Sequence, residues 1–260
     1  MVTILIVESN SPEIVANGHA ASVGFVRFVL ATVPANQLRI AAPYSGHINE
    51  SYFEGVDGVV FTGSSVAWST DAPEAQPLRD ALCTAFDTGL PCWGSCNGLQ
   101  LASVVLGGSV GASPNGMEVG VAQDLTLTDA GATHIMMLGR TNCFSVPCIH
   151  RDEVQQLPEG AILLAGNTHS PVQAMAFEKG GVDFWGTQYH PELTTRDIAR
   201  GIRRNGIFEG QSSAADDLDR AEADEQSAKR LGSSVEDLKF SNRARELINW
   251  LDHVSARKSS

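Results

Sequence analysis

The 260 residues are 43% apolar, which is enough for the core of one large domain or of two small ones. Asp and Glu outnumber Lys and Arg by 30 to 18, and the formal charge of -12 would repel a phosphate backbone, so we do not expect nucleic acid as a partner. The apolar run 2–7 is too short for a signal peptide or a membrane span and no other run reaches membrane length, so we expect a cytoplasmic protein without a membrane partner.

Short apolar and β-branched runs in the first half of the chain alternate with stretches of helical period. Continuous runs of this kind suit strands that are buried on both faces of a parallel sheet. The predicted strands are 3–7, 38–42, 58–61 and 90–93, and the predicted helices are 21–33 and 75–88. This alternation predicts an α/β fold with a doubly wound, mostly parallel sheet.

The five cysteines, at positions 83, 92, 96, 143 and 148, are an odd number without the dense spacing of a small disulfide scaffold. We therefore expect reduced thiols. Cys92 and Cys96 are separated by three residues and have no second ligand pair at a matching distance, which argues against a zinc site. Neither a metal nor another cofactor is expected.

The segment 94–98, GSCNG, stands between the predicted strand 90–93 and a predicted helix over 99–106. The arrangement G-x-nucleophile-x-G at a strand-to-helix turn is the pattern of a nucleophile elbow, because the two glycines let the strand and helix backbones approach closely. The free N–H groups at a helix start favour a thiolate at Cys96. Cys96 is the candidate nucleophile, whereas Cys92, inside the strand, is expected to be buried and inert.

After Gly108 the strand-like runs follow one another directly, which predicts antiparallel hairpins. These predicted strands are 120–128, 135–138, 143–149, 161–165, 172–177 and 182–188. A helix is predicted next over 193–204, with Thr194 or Thr195 as its N-cap and Asp197 near its positive end. We expect this helix to complete a main domain that spans 1–204.

The last part of the chain, 205–260, is expected to be an acidic connector followed by a C-terminal helix that packs on the main domain. Six acidic residues crowd between positions 216 and 225, which is typical of a solvated segment. Over 240–253 the apolar residues Phe240, Leu247, Ile248 and Leu251 share one helical face. A docked helix is favoured over a partner-binding tail.

Among seven histidines, His190 is the one with a carboxylate placed to orient it. In the segment 186–192, GTQYHPE, an extended strand end puts His190 and Glu192 on the same side, and Pro191 stiffens the pair. Glu192 can accept a hydrogen bond from one ring nitrogen while the other nitrogen faces Cys96. The candidate catalytic residues are therefore Cys96, His190 and Glu192.

An acyl-transfer site also needs hydrogen-bond donors for the negative oxygen that forms during attack. The predicted strand 58–61 leads to Gly63, whose backbone could approach a substrate oxygen, and the amide of Asn97 directly follows the nucleophile. The expected oxyanion hole is therefore Gly63 and Asn97. The alternative is that Gly63 only forms a turn.

GSCNGLQ (94–100) and GTQYHPE (186–192) resemble the G-x-C-x-G-x-Q elbow and the G-x-Q-F-H-P-E motif of class I (triad) glutamine amidotransferases, such as the glutaminase domain of GMP synthase. The resemblance covers about 2–204 and implies a flavodoxin-like glutaminase fold, with an added antiparallel hairpin region and a C-terminal helical extension here. It implies that Cys96 attacks the glutamine amide and that water hydrolyses the γ-glutamyl thioester. It further implies substrate contacts by Gln100 and by backbone near His150.

Two segments depart from the family pattern. The oxyanion segment reads TGSS where many members have SGGP, so Gly63 is kept without its rigid neighbours. Trp93 and Ser95 stand where the elbow flanks are usually aliphatic. Changes in these two segments could reshape the substrate pocket or the ammonia exit.

The resemblance implies that ammonia is supplied to a separate ATP-dependent synthetase partner, because the chain has no phosphate-binding loop of its own. A free-standing γ-glutamyl peptide hydrolase with the same triad is the alternative and needs no acceptor. PfpI-like proteins, another class with a cysteine elbow, have a histidine where Asn97 stands. A non-catalytic subunit that binds a glutamyl ligand is the third possibility, against which the intact candidate triad argues.

Overall fold

The computed structural model describes residues 1–205 and 212–259, and in this part of the chain a nine-stranded sheet forms the centre. The strands are β1 Thr3–Val7, β2 Gln37–Ala41, β3 Gly58–Phe61, β4 Pro91–Ser95, β5 Ser109–Ala112, β6 Glu118–Leu127, β7 Phe144–His150, β8 Asp152–Gln156, β9 Ile162–Gly166, β10 Ala174–Lys179 and β11 Val182–Thr187. The helices are α1 Pro12–Ala16, α2 Ser22–Thr32, α3 Gln76–Asp87, α4 Asn97–Val105, α5 Thr195–Asn205, α6 Ser212–Leu218, α7 Glu225–Arg230, α8 Val235–Leu238, α9 Phe240–Arg243 and α10 Arg245–Ser259.

The first half of the large sheet is parallel, in the order β2-β1-β3-β4-β11. All five residues of β1 are buried, because apolar clusters cover both faces of the sheet. One cluster includes residues of α2 and α10, and the other includes residues of α3 and α4. The predicted α/β fold with a doubly wound, mostly parallel sheet is confirmed.

The second half of the sheet is antiparallel and continues through β10, β9, β6 and β7, as the closely spaced strand runs predicted. The predicted strand 135–138 is wrong, since Ile135–Met137 forms a 3-10 turn. The ring of His134 caps this turn by accepting a hydrogen bond from the amide of Met136 at 3.1 Å. Two short strands that the sequence did not reveal, β5 and β8, pair with each other in a separate antiparallel sheet.

The predicted acidic connector is instead largely helical, with α6, α7 and α8 in its described part; positions 206–211 of it lie outside the described residues. Its alanines and leucines form an apolar cluster with α5 and β6, while its carboxylates face arginines. Asp217, for example, accepts two hydrogen bonds from Arg230, at 2.6 and 2.9 Å. The acidic composition concealed helices whose apolar side consists mostly of small residues.

The predicted helix 240–253 is two helices, α9 and the longer α10, because the chain turns at Ala244. Trp250 of α10 is fully buried, and its ring centroid lies 6.3 Å from that of Trp93 in β4. Phe240 remains partly exposed at the start of α9 and does not share the buried face of α10. None of the described helices combines the length and the apolar character that a membrane span requires.

Candidate active site

The elbow forms where β4 ends at Ser95 and α4 begins at Asn97. Between them Cys96 has φ 50° and ψ -101°, a backbone conformation that is rare and costly for a residue with a side chain. A hydrogen bond from the Cys96 amide to the carbonyl oxygen of Thr187, 2.7 Å long, holds this turn against β11. The strained turn directs the thiol out of the sheet and into a cleft that Cys96 lines.

The two glycines of the elbow are required by close backbone contacts. A Cβ atom at Gly98 would lie 2.4 Å from the carbonyl oxygen of Phe61. A Cβ atom at Gly94 would lie 2.5 Å from the carbonyl carbon of Gly98. Both distances are shorter than any ordinary Cβ contact, so β3, β4 and α4 can approach only with glycine at these positions.

The two cysteines of the elbow segment have different surroundings. Cys92 is fully buried in β4, its thiol donates a hydrogen bond to the carbonyl oxygen of Leu90 at 3.4 Å, and burial raises its pKa. Cys96 is 7% exposed and lies at the floor of the cleft, with its Sγ 3.8 Å from the carbonyl oxygen of Ile149. A buried thiol with a raised pKa is a poor nucleophile, so the geometry separates Cys96 from Cys92.

His190 and Glu192 reach the elbow because β11 lies next to β4, with Thr187 opposite Ser95. The Nδ1 of His190 and the Oε1 of Glu192 are 2.7 Å apart, and both side chains are buried. Burial opposes the charged form of His190, but the Glu192 carboxylate and the Cys96 side chain outweigh it and raise the pKa of His190 well above its ordinary value. The structure therefore brings together the three residues that the sequence grouped.

Trp93 and Ser95 lie behind the candidate triad rather than in the cleft. The indole Nε1 of Trp93 donates a hydrogen bond to Ser95 Oγ at 2.9 Å, and Ser95 Oγ donates one to Oε2 of Glu192 at 3.1 Å. Both side chains are fully buried. Neither residue lines the cleft, and Ser95 contacts the Glu192 oxygen that His190 does not use.

Replacing Ser95 by alanine is expected to lower kcat about tenfold with little change in KM. The substitution removes a hydrogen bond to a buried carboxylate, which is worth about 1.5 kcal/mol or more, and lets Glu192 rotate away from His190. Steady-state kinetics on Ser95→Ala would measure this. Ser103→Ala is the matched control, because Ser103 is equally buried and donates to the carbonyl oxygen of Leu99 in α4. Equal kinetic losses in both variants would contradict a role through Glu192.

The C-terminal segment holds the backbone on each side of Glu192. Arg243, at the end of α9, is 4% exposed and donates from Nη1 to the carbonyl oxygens of Pro191 at 3.0 Å and Leu193 at 2.8 Å. Burial lowers the pKa of Arg243, which the carboxylates of Glu222 and Glu192 partly offset. The buried guanidinium of Arg243 thus fixes the turn that carries the candidate orienting carboxylate, Glu192.

Two further residues of the C-terminal segment extend this support. Glu246 accepts a hydrogen bond from the hydroxyl of Tyr189 at 2.9 Å and pairs with the buried Arg140. Glu222 accepts a hydrogen bond from the amide of Thr195 at 3.0 Å. The segment from 189 to 195 is therefore held at both ends by residues from the C-terminal part of the chain.

Arg243→Met is expected to lower the free energy of unfolding by about 2–4 kcal/mol and kcat by tenfold or more. The buried carbonyl group of Pro191 and the part-buried carbonyl group of Leu193 lose their donor, at about 1–3 kcal/mol each, and the turn that carries Glu192 is released. Thermal unfolding and kinetics would be measured together. Arg245→Met, two positions later and bonded to Asn242, is the control and should change neither strongly. A stability loss in Arg243→Met with unchanged kcat would show that Arg243 does not position Glu192.

Gly63 and Asn97 both border the thiol. A Cβ atom at Gly63 would lie 2.7 Å from Cε1 of His190, so glycine is needed for the backbone to lie against the imidazole. In the described part of the chain, no protein acceptor is found for the amide of Gly63 or of Asn97. Two free amide donors beside the thiol are what an oxyanion hole requires.

The sequence did not reveal what replaces the rigid neighbours of Gly63. Asn10, after β1, accepts hydrogen bonds through Oδ1 from Ser64 Oγ at 3.0 Å and from the amide of Ser65 at 2.7 Å. The buried Glu8 in turn accepts from the amide of Asn10 at 2.9 Å. The one available signal was the polar stretch directly after β1, because parallel strands place functional residues at their carboxyl ends.

Gln100 and His150 are both buried at the edge of the cleft. The Gln100 amide nitrogen donates to the carbonyl oxygen of Asp152 at 2.6 Å. The His150 ring lies between that same oxygen, 3.1 Å from Nδ1, and Oε2 of Glu118, 2.8 Å from Nε2. The ring of His150 is therefore engaged, which leaves its backbone as the group that could contact a substrate.

Glu118, His150 and His169 form the one group of potential metal ligands within the described residues, with ligand atoms inside 4.8 Å of one another. Glu118 already accepts hydrogen bonds from the His150 ring and from the amide nitrogens of Asn167 and Gln173, at 2.7–2.8 Å. A carboxylate with this many donors is satisfied without an ion. The group is a hydrogen-bond network beneath the cleft.

The cleft over Cys96 has a volume of about 600 Å³. Its inner end contains the thiol, the His190 ring and Gly63, and Gln100, His150, Arg151 and Asp152 border it on one side. The segment around α1 and residues of α2 and α5 also line the cleft. Arg151 and Asp152 pair with each other through Nη2 and Oδ2 at 2.8 Å.

Comparison with known sequences agrees with this geometry. The sequence profile of the family "Glutamine amidotransferase class-I" matches residues 30–209. A γ-glutamyl-L-1-hydroxyisopropylamide hydrolase from a Pseudomonas species is 36% identical over 218 residues, which cover 76% of this chain and 72% of that protein. A glutamine-hydrolysing GMP synthase from Heliobacterium modesticaldum is 30% identical over 167 residues, which cover 64% of this chain but only 30% of that enzyme.

A comparison with solved structures gives the same architecture. The crystal structure of a glutamine amidotransferase from Thermotoga maritima superimposes with a TM-score of 0.67 and covers 97% of both chains. Its sequence is 19% identical to this one. At that level of identity the likeness shows the fold.

Proposed function

This chain belongs to the class-I glutamine amidotransferase family, and we propose that it is a cysteine-dependent hydrolase of γ-glutamyl amides. In this proposal Cys96 is the nucleophile, His190 carries protons and Glu192 orients His190. The observation that carries the proposal is the hydrogen-bonded His190–Glu192 pair facing Cys96 at the floor of a cleft of about 600 Å³.

Formation of the acyl-enzyme uses the inner end of the cleft. The Cys96 Sγ attacks the γ-carbonyl carbon, and the carbonyl oxygen becomes negative while it accepts hydrogen bonds from the amides of Gly63 and Asn97. The carbon–nitrogen bond then breaks, and the leaving amine takes a proton from His190. The raised pKa of His190 keeps the imidazolium available as the proton source.

Hydrolysis of the thioester completes the cycle. His190, now neutral, takes a proton from water as the water oxygen attacks the thioester carbon. The carbon–sulfur bond breaks, glutamate leaves and the sulfur of Cys96 is restored. Glu192 keeps the ring oriented in both steps, and we assign Gln100 and the backbone near His150 to the amino-acid end of the glutamyl group.

Two observations favour an N-substituted γ-glutamyl amide over free glutamine. Clefts of a few hundred Å³ bury drug-sized ligands, and glutamine is much smaller than the cleft of about 600 Å³. The similarity to the Pseudomonas hydrolase extends over most of both chains, whereas the similarity to the GMP synthase covers 30% of that enzyme.

Kinetics of the purified chain with glutamine and with γ-glutamyl-isopropylamide would test the proposal. The expected result is a higher kcat/KM for the isopropylamide, with one amine released for each glutamate. A preference for glutamine would instead favour the second candidate below. Absence of hydrolysis, together with no labelling of Cys96 by a glutamine-derived electrophile, would support a non-catalytic binding subunit.

The second candidate function is supply of ammonia to a separate ATP-dependent synthetase, which the similarity to the GMP synthase favours. The chain spans about a third of that enzyme, so this reading requires a partner protein. It predicts slow glutaminase activity that rises when the partner and its substrates are added. A pull-down from the native cell, read for an ATP-dependent synthetase, would test it.

A further inference from the structure

The proposed oxyanion donor Gly63 lies in a loop. β3 ends at Phe61, and the next described element is the 3-10 turn Pro73–Ala75. A backbone amide stabilises an oxyanion well only when it is fixed in place before the negative charge forms. Because neither a helix nor a strand fixes Gly63, side chains from other segments have to hold it. The role of Gly63 as a donor rests on the proposed function.

The end of β1 holds the chain directly before Gly63. The amide of Thr62 donates a hydrogen bond to the carbonyl oxygen of Val7 at 3.2 Å. The Thr62 hydroxyl accepts a hydrogen bond from the amide of Ser9 at 3.0 Å and donates one to the carbonyl oxygen of Gly63 at 2.9 Å. Thr62 is fully buried, so water does not compete for these bonds. The loop is therefore fixed up to Gly63 itself.

Asn10 holds the chain directly after Gly63. Its Oδ1 accepts a hydrogen bond from the amide of Ser65 at 2.7 Å, across 55 positions of the sequence. The Ser64 hydroxyl lies 3.0 Å from the same Oδ1 and 2.8 Å from the carbonyl oxygen of Ser9, so it has two acceptors for its one proton. Gly63 thus lies between two points at which the loop is bonded to the residues that follow β1.

The side chain of Asn10 is itself fixed. The Asn10 amide donates to Oε1 of Glu8 at 2.9 Å, and Oε2 of Glu8 accepts from the amide of Ser22, where α2 begins, at 2.8 Å. The Nδ2 of Asn10 donates to the carbonyl oxygen of His19 at 2.8 Å. Asn10 is 3% exposed. Its Oδ1 is therefore an acceptor at a defined position, and both polar atoms of its side chain are engaged within the protein.

We propose that Asn10 is a positioning residue of the oxyanion hole. Its Oδ1 fixes the backbone two residues after Gly63 and so keeps the Gly63 amide directed at the oxygen that becomes negative when Cys96 attacks. Asn10 acts through the loop and not on the substrate, because its own polar atoms are used for contacts with Ser65 and His19. A buried side chain from the end of β1 thus supplies the rigidity that the sequence TGSS does not.

Asn10→Ala is expected to lower kcat/KM for γ-glutamyl-isopropylamide about tenfold to a hundredfold, since removal of an oxyanion donor costs about 10²–10³ and a misplaced donor costs less. The loss should appear mainly in kcat, because the oxyanion exists only after attack. Alkylation of Cys96 by iodoacetamide forms no oxyanion, so its rate should not change. Unchanged kcat/KM in a folded variant would overturn the proposal, and so would an equal loss in the alkylation rate.

Asn36→Ala is the matched control. Asn36 is 8% exposed, and its Oδ1 accepts a hydrogen bond from the amide of Val2 at 3.1 Å, at the opposite end of β1. This variant should keep kcat/KM close to the wild-type value, and thermal unfolding of both variants shows whether they are folded. A loss of kcat/KM in Asn36→Ala as large as in Asn10→Ala would show a general effect of β1 and overturn the proposal.

Ser64→Ala tests the same role even where Asn10→Ala does not fold, because Ser64 is only partly buried. It should lower kcat/KM severalfold and leave the alkylation rate unchanged. The double variant should be no worse than Asn10→Ala alone, since both side chains act through one loop. Unchanged kcat/KM in Ser64→Ala, or losses that multiply in the double variant, would overturn the proposal. Failure of the wild type to hydrolyse the amide would instead sink the proposed function, and the role of Asn10 with it.

Discussion

Cys96→Ala is expected to lower kcat for γ-glutamyl amides by 10⁴-fold or more, whereas Cys92→Ala should keep most of the activity. The reason is geometric, since the Cys96 thiol lies at the floor of the cleft at a strained elbow, and the Cys92 thiol is buried in β4. Removal of a nucleophile removes the covalent path, and the loss in other cysteine and serine hydrolases is of about this size.

Kinetics would be combined with the stoichiometry of labelling by a glutamine-derived electrophile. The expected stoichiometry is one label per chain in the wild type and in Cys92→Ala, and none in Cys96→Ala. Thermal unfolding of both variants shows whether they are folded. Equal loss of activity in two folded variants would overturn the assignment of the nucleophile.

His190→Ala is expected to lower kcat by about 10³- to 10⁴-fold, and Glu192→Ala by one to two orders of magnitude less. In the proposed mechanism His190 moves the protons in both halves of the reaction, whereas Glu192 acts only by orienting His190, with its Oε1 2.7 Å from Nδ1 of the ring. Kinetics of both variants at several pH values would measure the difference. An effect of Glu192→Ala as large as that of His190→Ala would contradict this division of roles.

Glu192→Gln adds a pH signature to the same test. The carboxylate stabilises the imidazolium, so its removal lowers the pKa of His190. The imidazolium then loses its proton at a lower pH, and the alkaline limb of the kcat/KM profile moves to lower pH. An unchanged alkaline limb would show that His190 does not set it.

The fold was predictable where the residues of a single segment indicate its secondary structure by themselves. β1 and β3 were predicted with the bounds they have, because each is a continuous apolar run that the sheet buries on both faces. The acidic segment after α5 misled the prediction, since its helices bury alanines and leucines between exposed carboxylates. The run 135–138 misled it as well, because the side chain of His134 caps a turn there.

The candidate site, like the fold, could be predicted from the sequence only where a local motif indicates it. Cys96, His190 and Glu192 were identified from two motifs, because a glycine-flanked elbow and an extended HPE segment each impose local geometry. Ser95 was noticed as unusual, but its partner was not predicted, because its bond to Glu192 joins residues 97 positions apart. Arg243 gave no sequence signal, because its contacts with the chain at 191 and 193 depend on how α9 packs against that turn.

The sequence by itself determined which residues are the candidates for the chemistry, since residue type and local spacing indicate which side chain can act as a nucleophile, a proton carrier or an orienting carboxylate. Only the tertiary structure decided which other side chains contact these groups and hold them in place. The bond of Ser95 to Glu192 and the bonds of Arg243 to the carbonyl oxygens of Pro191 and Leu193 join segments that are distant in the chain. Such contacts depend on packing across the whole domain, which no local pattern encodes.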